Sequence, residues 1–253
     1  MPSRVSSAAV TTELPAALRL AWWATSWLRG HTVADLVVDA VLGDDATHVV
    51  VGLPDLAGTV QLVEGLAVLR RLGATGVGAA LPAEGDPVGL GGPRAFNTEA
   101  LEAGEAVVAL GTGWGLVPQR TGAAVVWSAR PAERRPLPDV GVADRLLRAG
   151  LLEAAGALAE LDVARWRPEV ADRLMNLRHR DPVEAPDGVP ARCVELAARG
   201  LQAMEIVALA LEDEGGAVSA YEIARRRDAL VPLDRAGRRA LVAAGSPEVW
   251  PPD

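Results

Sequence analysis

The chain has 253 residues, half of them hydrophobic and 23% charged, with a formal net charge of −8. All 25 basic residues are arginine, and Cys193 is the single cysteine. The absence of lysine excludes Schiff-base, Walker-type and kinase lysine chemistry, and one cysteine excludes an internal disulfide, a CxxC pair and a cysteine-built zinc cluster.

The length supports one large domain or two of ordinary size, with room for a sizeable core. Aromatics make up only 4%, so that core must be built from Ala, Val and Leu. The bias to Ala, Arg, Gly and Val fits a host of high genomic GC content. The acidic balance disfavours general nucleic-acid binding, which neutralises phosphates. No apolar run approaches the roughly 20 residues of a membrane span, and the first residues lack the apolar core of a secretory signal. The expectation is a soluble cytoplasmic protein.

Residues 1–12 are small and polar and predict a disordered tail. Apolar spacing predicts a helix over 14–28, with Gly30 as its stop. Thr32 then suits the cap of a second helix through Leu42, with Asp35 completing a partial capping box. The run His48–Gly52 reads as a buried strand. An amphipathic helix over 59–72 follows, ended by Gly73, and Gly76–Leu81 reads as the next strand. Strand, helix and strand within this span predict a βαβ unit with a parallel pair. A Gly/Pro-rich loop (82–95) leads to a short helix around 96–103 and a strand over 105–110. The turn GTGWG (111–115) has half the glycine spacing of a dinucleotide fingerprint but opens no helix, so it predicts a hairpin. Residues 123–128 form a further strand.

Residues 130–138, with three prolines and three arginines, predict a linker. Beyond it the periodicity is helical throughout. It predicts a long helix over 140–161, one over 168–177, a loop at 181–190, and a helix over 191–212 that buries Cys193, Leu196, Gly200, Met204, Val207 and Leu211. Two short helices, 218–230 and 234–243, and an irregular tail complete the chain. The fold class is therefore α/β, with a mixed sheet and a βαβ unit in an N-terminal half (13–129), plus an all-α C-terminal half (139–253), either as separate domains or as one composite α+β body.

No catalytic motif, metal-ligand spacing or cofactor fingerprint is present, so neither a cofactor nor a metal is expected. His31, His48 and His179 lie far apart, without a second histidine or carboxylate at ligand spacing. Cys193 sits on an apolar helix face and reads as an inert core thiol. Loop 82–95 is the candidate anion site: Gly89, Gly91 and Gly92 let the backbone approach a ligand. Arg94 could hold a carboxylate or phosphate bidentately, and Asp55, Asp86 and Asn97 complete the set, on the expectation that Asp55 and the loop both leave the carboxyl ends of parallel strands. The alternative is a rigid surface loop in which Asn97 or Thr98 caps the next helix. Trp22, Trp23 and Trp27, three in six residues, predict either burial between the two halves or a homodimer interface. The arginines of 225–239 form one local basic region, suited to an acidic partner, to the protein's own acidic surface or, as a weaker reading, to nucleic acid.

The function expected from these absences is that of a non-catalytic cytoplasmic protein acting through protein–protein contacts, as a homodimer. The alternative is a domain or enzyme that binds a small anion at loop 82–95. Nucleic-acid binding through 225–239 is the third reading, and no membrane association is expected.

Overall fold

A computed structural model of the chain describes residues 13–133, 135–160, 182–212 and 220–250. The expected tail at 1–12, the helix expected at 168–177 and His179 lie outside the described residues.

Six strands form one mixed sheet: β1 (Thr47–Val51), β2 (Thr59–Gln61), β3 (Gly76–Ala80), β4 (Ala106–Leu110), β5 (Trp114–Thr121) and β6 (Ala124–Pro131), in the order β2-β1-β6-β5-β4-β3. The continuous apolar runs of β3 and β4 fit strands covered on both faces. The hairpin expected at 111–115 joins β4 to β5, with Gly111 and Gly113 at positive φ. A two-residue loop at Gly122 and Ala123 then returns β5 into β6.

The expected βαβ unit does not form. β1 pairs in parallel with β6, about 80 residues later in the chain, and β3 pairs antiparallel with β4 at the far edge of the sheet. Three strands separate β1 from β3, and the successive pairings make the two antiparallel to each other.

Four helices flank the sheet: α1 (Ala16–Leu28), α2 (Ala34–Leu42), α3 (Leu62–Arg71) and α4 (Arg94–Ala103). The first three share a core with Val50, Val77, Val107, Leu116 and Trp127 on one face. Phe96 and Ala100 of α4 cover Ala80, Ala106, Val108 and Val117 on the other. Residues 107 and 116 on one face, against 108 and 117 on the other, show the alternation expected of strands. Gly65 is where α3 meets the sheet, since a Cβ there would stand 2.6 Å from Val50 Cγ2.

Among the described residues, three long helices follow: α5 (Val140–Glu160), α6 (Ala191–Glu212) and α7 (Ala220–Ala244). Their shared core holds Leu147, Leu196, Val207, Leu230, Leu233 and Ala240. Cys193, Ala197 and Leu201 of α6, with Leu241 and Ala244 of α7, instead extend the core under α1. The helical residues and the sheet thus share apolar contacts.

Several local expectations are corrected. Val33, not Thr32, is the N-cap of α2, without a side-chain bond. Residues 59–61 pair with β1 as β2 before α3 begins. The two short helices expected near the C-terminus are one helix, α7, with Pro232 inside it. Leu211 is exposed and Met204 half-buried on α6. The expected linker is tied down: residues 130 and 131 complete β6, and Arg135 is buried. The tail opens with a 3-10 turn, Pro247–Val249.

Candidate functional site

Loop 82–95 begins with a tight turn in which Ala83 and Asp86 exchange backbone hydrogen bonds of 3.0 and 2.9 Å. This turn delivers the Asp86 side chain inward, where it is only 4% exposed. There it meets α7. Arg239 Nη2 lies 2.7 Å from Asp86 Oδ1, while Arg238 Nη1 lies 3.2 Å and Arg235 Nε 3.6 Å from Oδ2. Arg238 also donates to Asp234 Oδ2 at 3.0 Å and to the Leu81 carbonyl at 3.2 Å. One acidic member of the expected anion site and half of the expected basic cluster are therefore paired with each other, about 150 residues apart in sequence. This is the pairing with the protein's own acidic groups that the arginine cluster allowed.

Beyond Asp86 the chain lies flat on β3. Gly89 has φ +86°, and a Cβ there would stand 2.6 Å from Ala80 Cα. A pocket of about 290 Å³ opens beside it, lined by residues 86–90, by 136–139, by Val142, Ala143 and Leu146 of α5, and by Arg239 and Val242 of α7. Leu137, Val142 and Leu146 are 50%, 41% and 45% exposed around it. Asp139 caps α5, its Oδ1 accepting the Val142 N–H at 2.7 Å.

The other expected site residues lie elsewhere. Asn97 is inside α4 rather than capping it, and its Oδ1 accepts the Gly92 N–H at 3.1 Å. The Gly92 carbonyl in turn accepts from Glu133 N at 2.8 Å. Gly92 and Asn97 thus clamp the loop to the residues after β6, and Gly91 precedes this clamp. Arg94 is exposed at the first position of α4. Asp55 is exposed beyond β1, at the opposite edge and opposite end of the sheet from the end of β3. The expected set therefore divides, and only Asp86 and Gly89 line the pocket.

Of the two readings offered for the tryptophans, Trp22 and Trp23 follow burial within the chain. Trp22 is fully buried and donates Nε1–H to the Ala244 carbonyl at 3.0 Å, and Trp23 is also buried. Trp27 is half-buried, with the Arg70 guanidinium 5.0 Å over its ring. Within one chain, α1 is enclosed by the sheet, α2 and the end of α7, so most of its apolar surface is already covered.

A second polar cluster escaped the sequence reading. Trp127 Nε1 donates to His48 Nδ1 at 3.1 Å, which leaves Nε2 as the protonated nitrogen facing Asp45 Oδ2 at 3.1 Å. Arg120 pairs with the other Asp45 oxygen. Burial holds His48 below its usual value against the pull of Asp45. Burial works to raise Asp45, but its bonds to His48 and Arg120 outweigh that and hold it below the usual carboxylate range. The signal in the sequence was the spacing Asp45-x-x-His48 across a loop and a strand start. With its ring enclosed, His48 serves as a structural bridge between β1 and β6.

A larger hollow of about 400 Å³ lies near Glu99, Glu102, Glu105 and Arg120. Two of its carboxylates are engaged: Glu99 pairs with Arg130 at 2.8 Å, and Glu105 accepts the Ala17 N–H at 2.8 Å. Burial pushes Glu105 above its usual value. Burial likewise pushes the Cys193 thiol up, away from the reactive thiolate form. Among the described residues no group of His, Cys, Asp or Glu side chains could hold a metal ion, and no helix is long and apolar enough to cross a membrane.

Fold and site together define a mixed α/β protein with a helical C-terminal part and a partly apolar groove. The chain belongs to the Rv1486c-like protein family: its N-terminal domain model matches residues 17–140 and its C-terminal domain model residues 141–242. Two relatives from Mycobacterium tuberculosis are "Uncharacterized protein Rv1486c" (strain ATCC 25618 / H37Rv) and "Uncharacterized protein MT1533" (strain CDC 1551 / Oshkosh). Each is 30% identical over 285 residues, covering 92% of this chain and 97% of the relative. No solved structure matches the chain.

Proposed function

We propose that this chain is a non-catalytic cytoplasmic binding protein whose contacts are made at the groove between loop 86–90 and α5. The observation that carries this reading is the cluster of Leu137, Val142 and Leu146, each at least 41% exposed, around a pocket of about 290 Å³. Apolar surface gathered beside a concavity marks contact sites more often than scattered apolar residues do. Leu137→Glu and Leu146→Glu should abolish binding while leaving the melting temperature nearly unchanged, since both side chains are half-exposed. A thermal-shift and fluorescence screen over apolar small molecules and peptides tests this. The reading falls if nothing in the screen binds, or if binding survives both changes.

A second reading, a homodimer, is supported by the same exposed leucines rather than by the tryptophans. Static light scattering over a wide range of concentration should then show a dimer that Leu146→Glu dissociates. A monomer at every concentration overturns it.

A further inference from the structure

We propose that the groove takes a small amphipathic carboxylate, with its apolar body against Leu137, Val142 and Leu146 and its carboxylate on Arg239. This rests on the groove being the binding site and names what enters it.

The first argument is charge. Three guanidinium groups, on Arg235, Arg238 and Arg239, gather at Asp86. The only other carboxylate paired with them among the described residues is Asp234, on Arg238. Three cations against two anions leave one positive charge in surplus. The surplus falls on the accessible arginines, since the side chains of Arg235 and Arg239 are 48% and 45% exposed while that of Arg238 is 10% exposed. Only Arg239 of these lines the pocket. A guanidinium has five N–H donors in a rigid fork, and Arg239 gives Asp86 a bond from Nη2. Its remaining donors suit a second carboxylate, and buried Asp86 fixes the fork in advance of binding.

The second argument is the wall opposite. Val88, Leu90, Leu137, Val142 and Leu146 line the pocket with apolar surface, which favours a ligand with a hydrocarbon body. At about 290 Å³ the pocket stands at the small end of ligand sites, so that body is short.

The third argument sets the charge of the ligand. Asp139 shares the pocket wall. One of its oxygens accepts the Val142 N–H, and its negative charge remains. With Asp139 counted, three cations face three anions, so the surroundings of the pocket are close to neutral. A monocarboxylate on the Arg239 fork meets less repulsion from Asp139 than a doubly charged phosphate does.

The test uses the full chain and three probes of equal tail length, octanoate, octanol and octyl phosphate, followed by isothermal titration calorimetry. Octanoate should bind one site at least tenfold more tightly than octanol, and more tightly than octyl phosphate. Arg239→Gln should bring octanoate down to the affinity of octanol and leave octanol unchanged, while Leu146→Gln weakens both. Added salt should weaken octanoate but not octanol in the unaltered chain, a readout that stands even if Arg239→Gln folds poorly. Equal binding of octanoate and octanol, or indifference of octanoate to both Arg239→Gln and salt, overturns the carboxylate assignment and leaves the groove as a binding site. Tighter binding of octyl phosphate overturns the monoanion. Binding of none of the three overturns the assignment, and the failure of the wider screen as well removes the binding reading beneath it.

Discussion

Asp86→Ala is the change that most directly tests how loop 82–95 and α7 are joined. The carboxylate is 4% exposed and faces Arg238, itself 10% exposed. Removing one partner of a buried ion pair costs about 3–5 kcal/mol, because the other charge stays buried. Here Arg238 retains Asp234 at 3.0 Å and the Leu81 carbonyl at 3.2 Å. Arg235 and Arg239 are half-exposed and return to water, so each adds little. The lower end, about 3 kcal/mol, is therefore expected. For a chain of this size about 2–4 °C is lost per kcal/mol, giving a melting temperature lower by roughly 6–12 °C. Scanning calorimetry with urea unfolding measures it. Arg239→Ala alone should cost no more than about 1 kcal/mol. A loss below about 1 kcal/mol for Asp86→Ala, or an equal loss for Arg239→Ala, would refute buried pairing as the joint.

Three further outcomes follow from the same geometry. Because burial lowers His48 from 6.5 in the folded state, its contribution to stability is complete above that value and is lost as the pH falls through the lowered one. Urea midpoints between about pH 8 and 5 should decline on the acid side, and His48→Asn should flatten the decline; an identical slope in the variant would sink this assignment. Gly89→Ala forces a side chain to adopt φ +86° with its Cβ 2.6 Å from Ala80 Cα. A loss of about 1–3 kcal/mol should register in calorimetry, and an unchanged melting temperature would mean that the loop does not lie on β3. Trp22→Phe removes a buried N–H bond to the Ala244 carbonyl and part of a fully buried ring, costing about 1–3 kcal/mol, more than Trp27→Phe at its half-buried position. The reverse order in urea unfolding would argue against the placement of α1.

Periodicity made most helices legible, because burial of one face is written into local spacing. The helix expected at 191–212 is α6 residue for residue. What spacing could not carry was the choice of neighbour. The sequence GVGAA of β3 is buried at every position, and a strand of small residues reads the same beside a parallel partner as beneath a helix. Nothing local says that β1 waits for β6. Pro232 lies between the two short helices expected there: it removes a hydrogen bond and costs about 3 kcal/mol, yet buried Leu230, Leu233 and Ala236 hold one helix on either side of it. The candidate site was half legible. Asp86 and the arginines of 235–239 each stood out, but over 150 residues of chain no spacing rule pairs them. Asp55 was grouped with loop 82–95 only through the expected parallel β1–β3 pair, so it left the site when that pair did.

The edge position of β3 ties these observations into one constraint. An open edge presents unpaired N–H and C=O groups, which proteins cover. Here the cover is built from side chains and one turn. Thr25 of α1 accepts the Val77 N–H at 2.9 Å and donates to the Val77 carbonyl at 3.2 Å. The Ala79 N–H donates to the Gly245 carbonyl at 2.8 Å, and Arg135 donates to the Ala79 carbonyl. One residue past the strand, Arg238 donates to the Leu81 carbonyl. Arg135 and Arg238 serve this edge and also hold acidic or hydroxyl groups from other segments: Arg135 binds Ser246 and Glu248, and Arg238 binds Asp86 and Asp234. A planar fork of five donors can satisfy several acceptors at once where a lysine ammonium offers three donors from one point. The all-arginine composition is therefore compatible with burying these cations. The same bonds hold the residues after β6 and the end of α7 against the sheet: removing Arg135 or Arg238 would take from the Ala79 or Leu81 carbonyl the side-chain donor it now has.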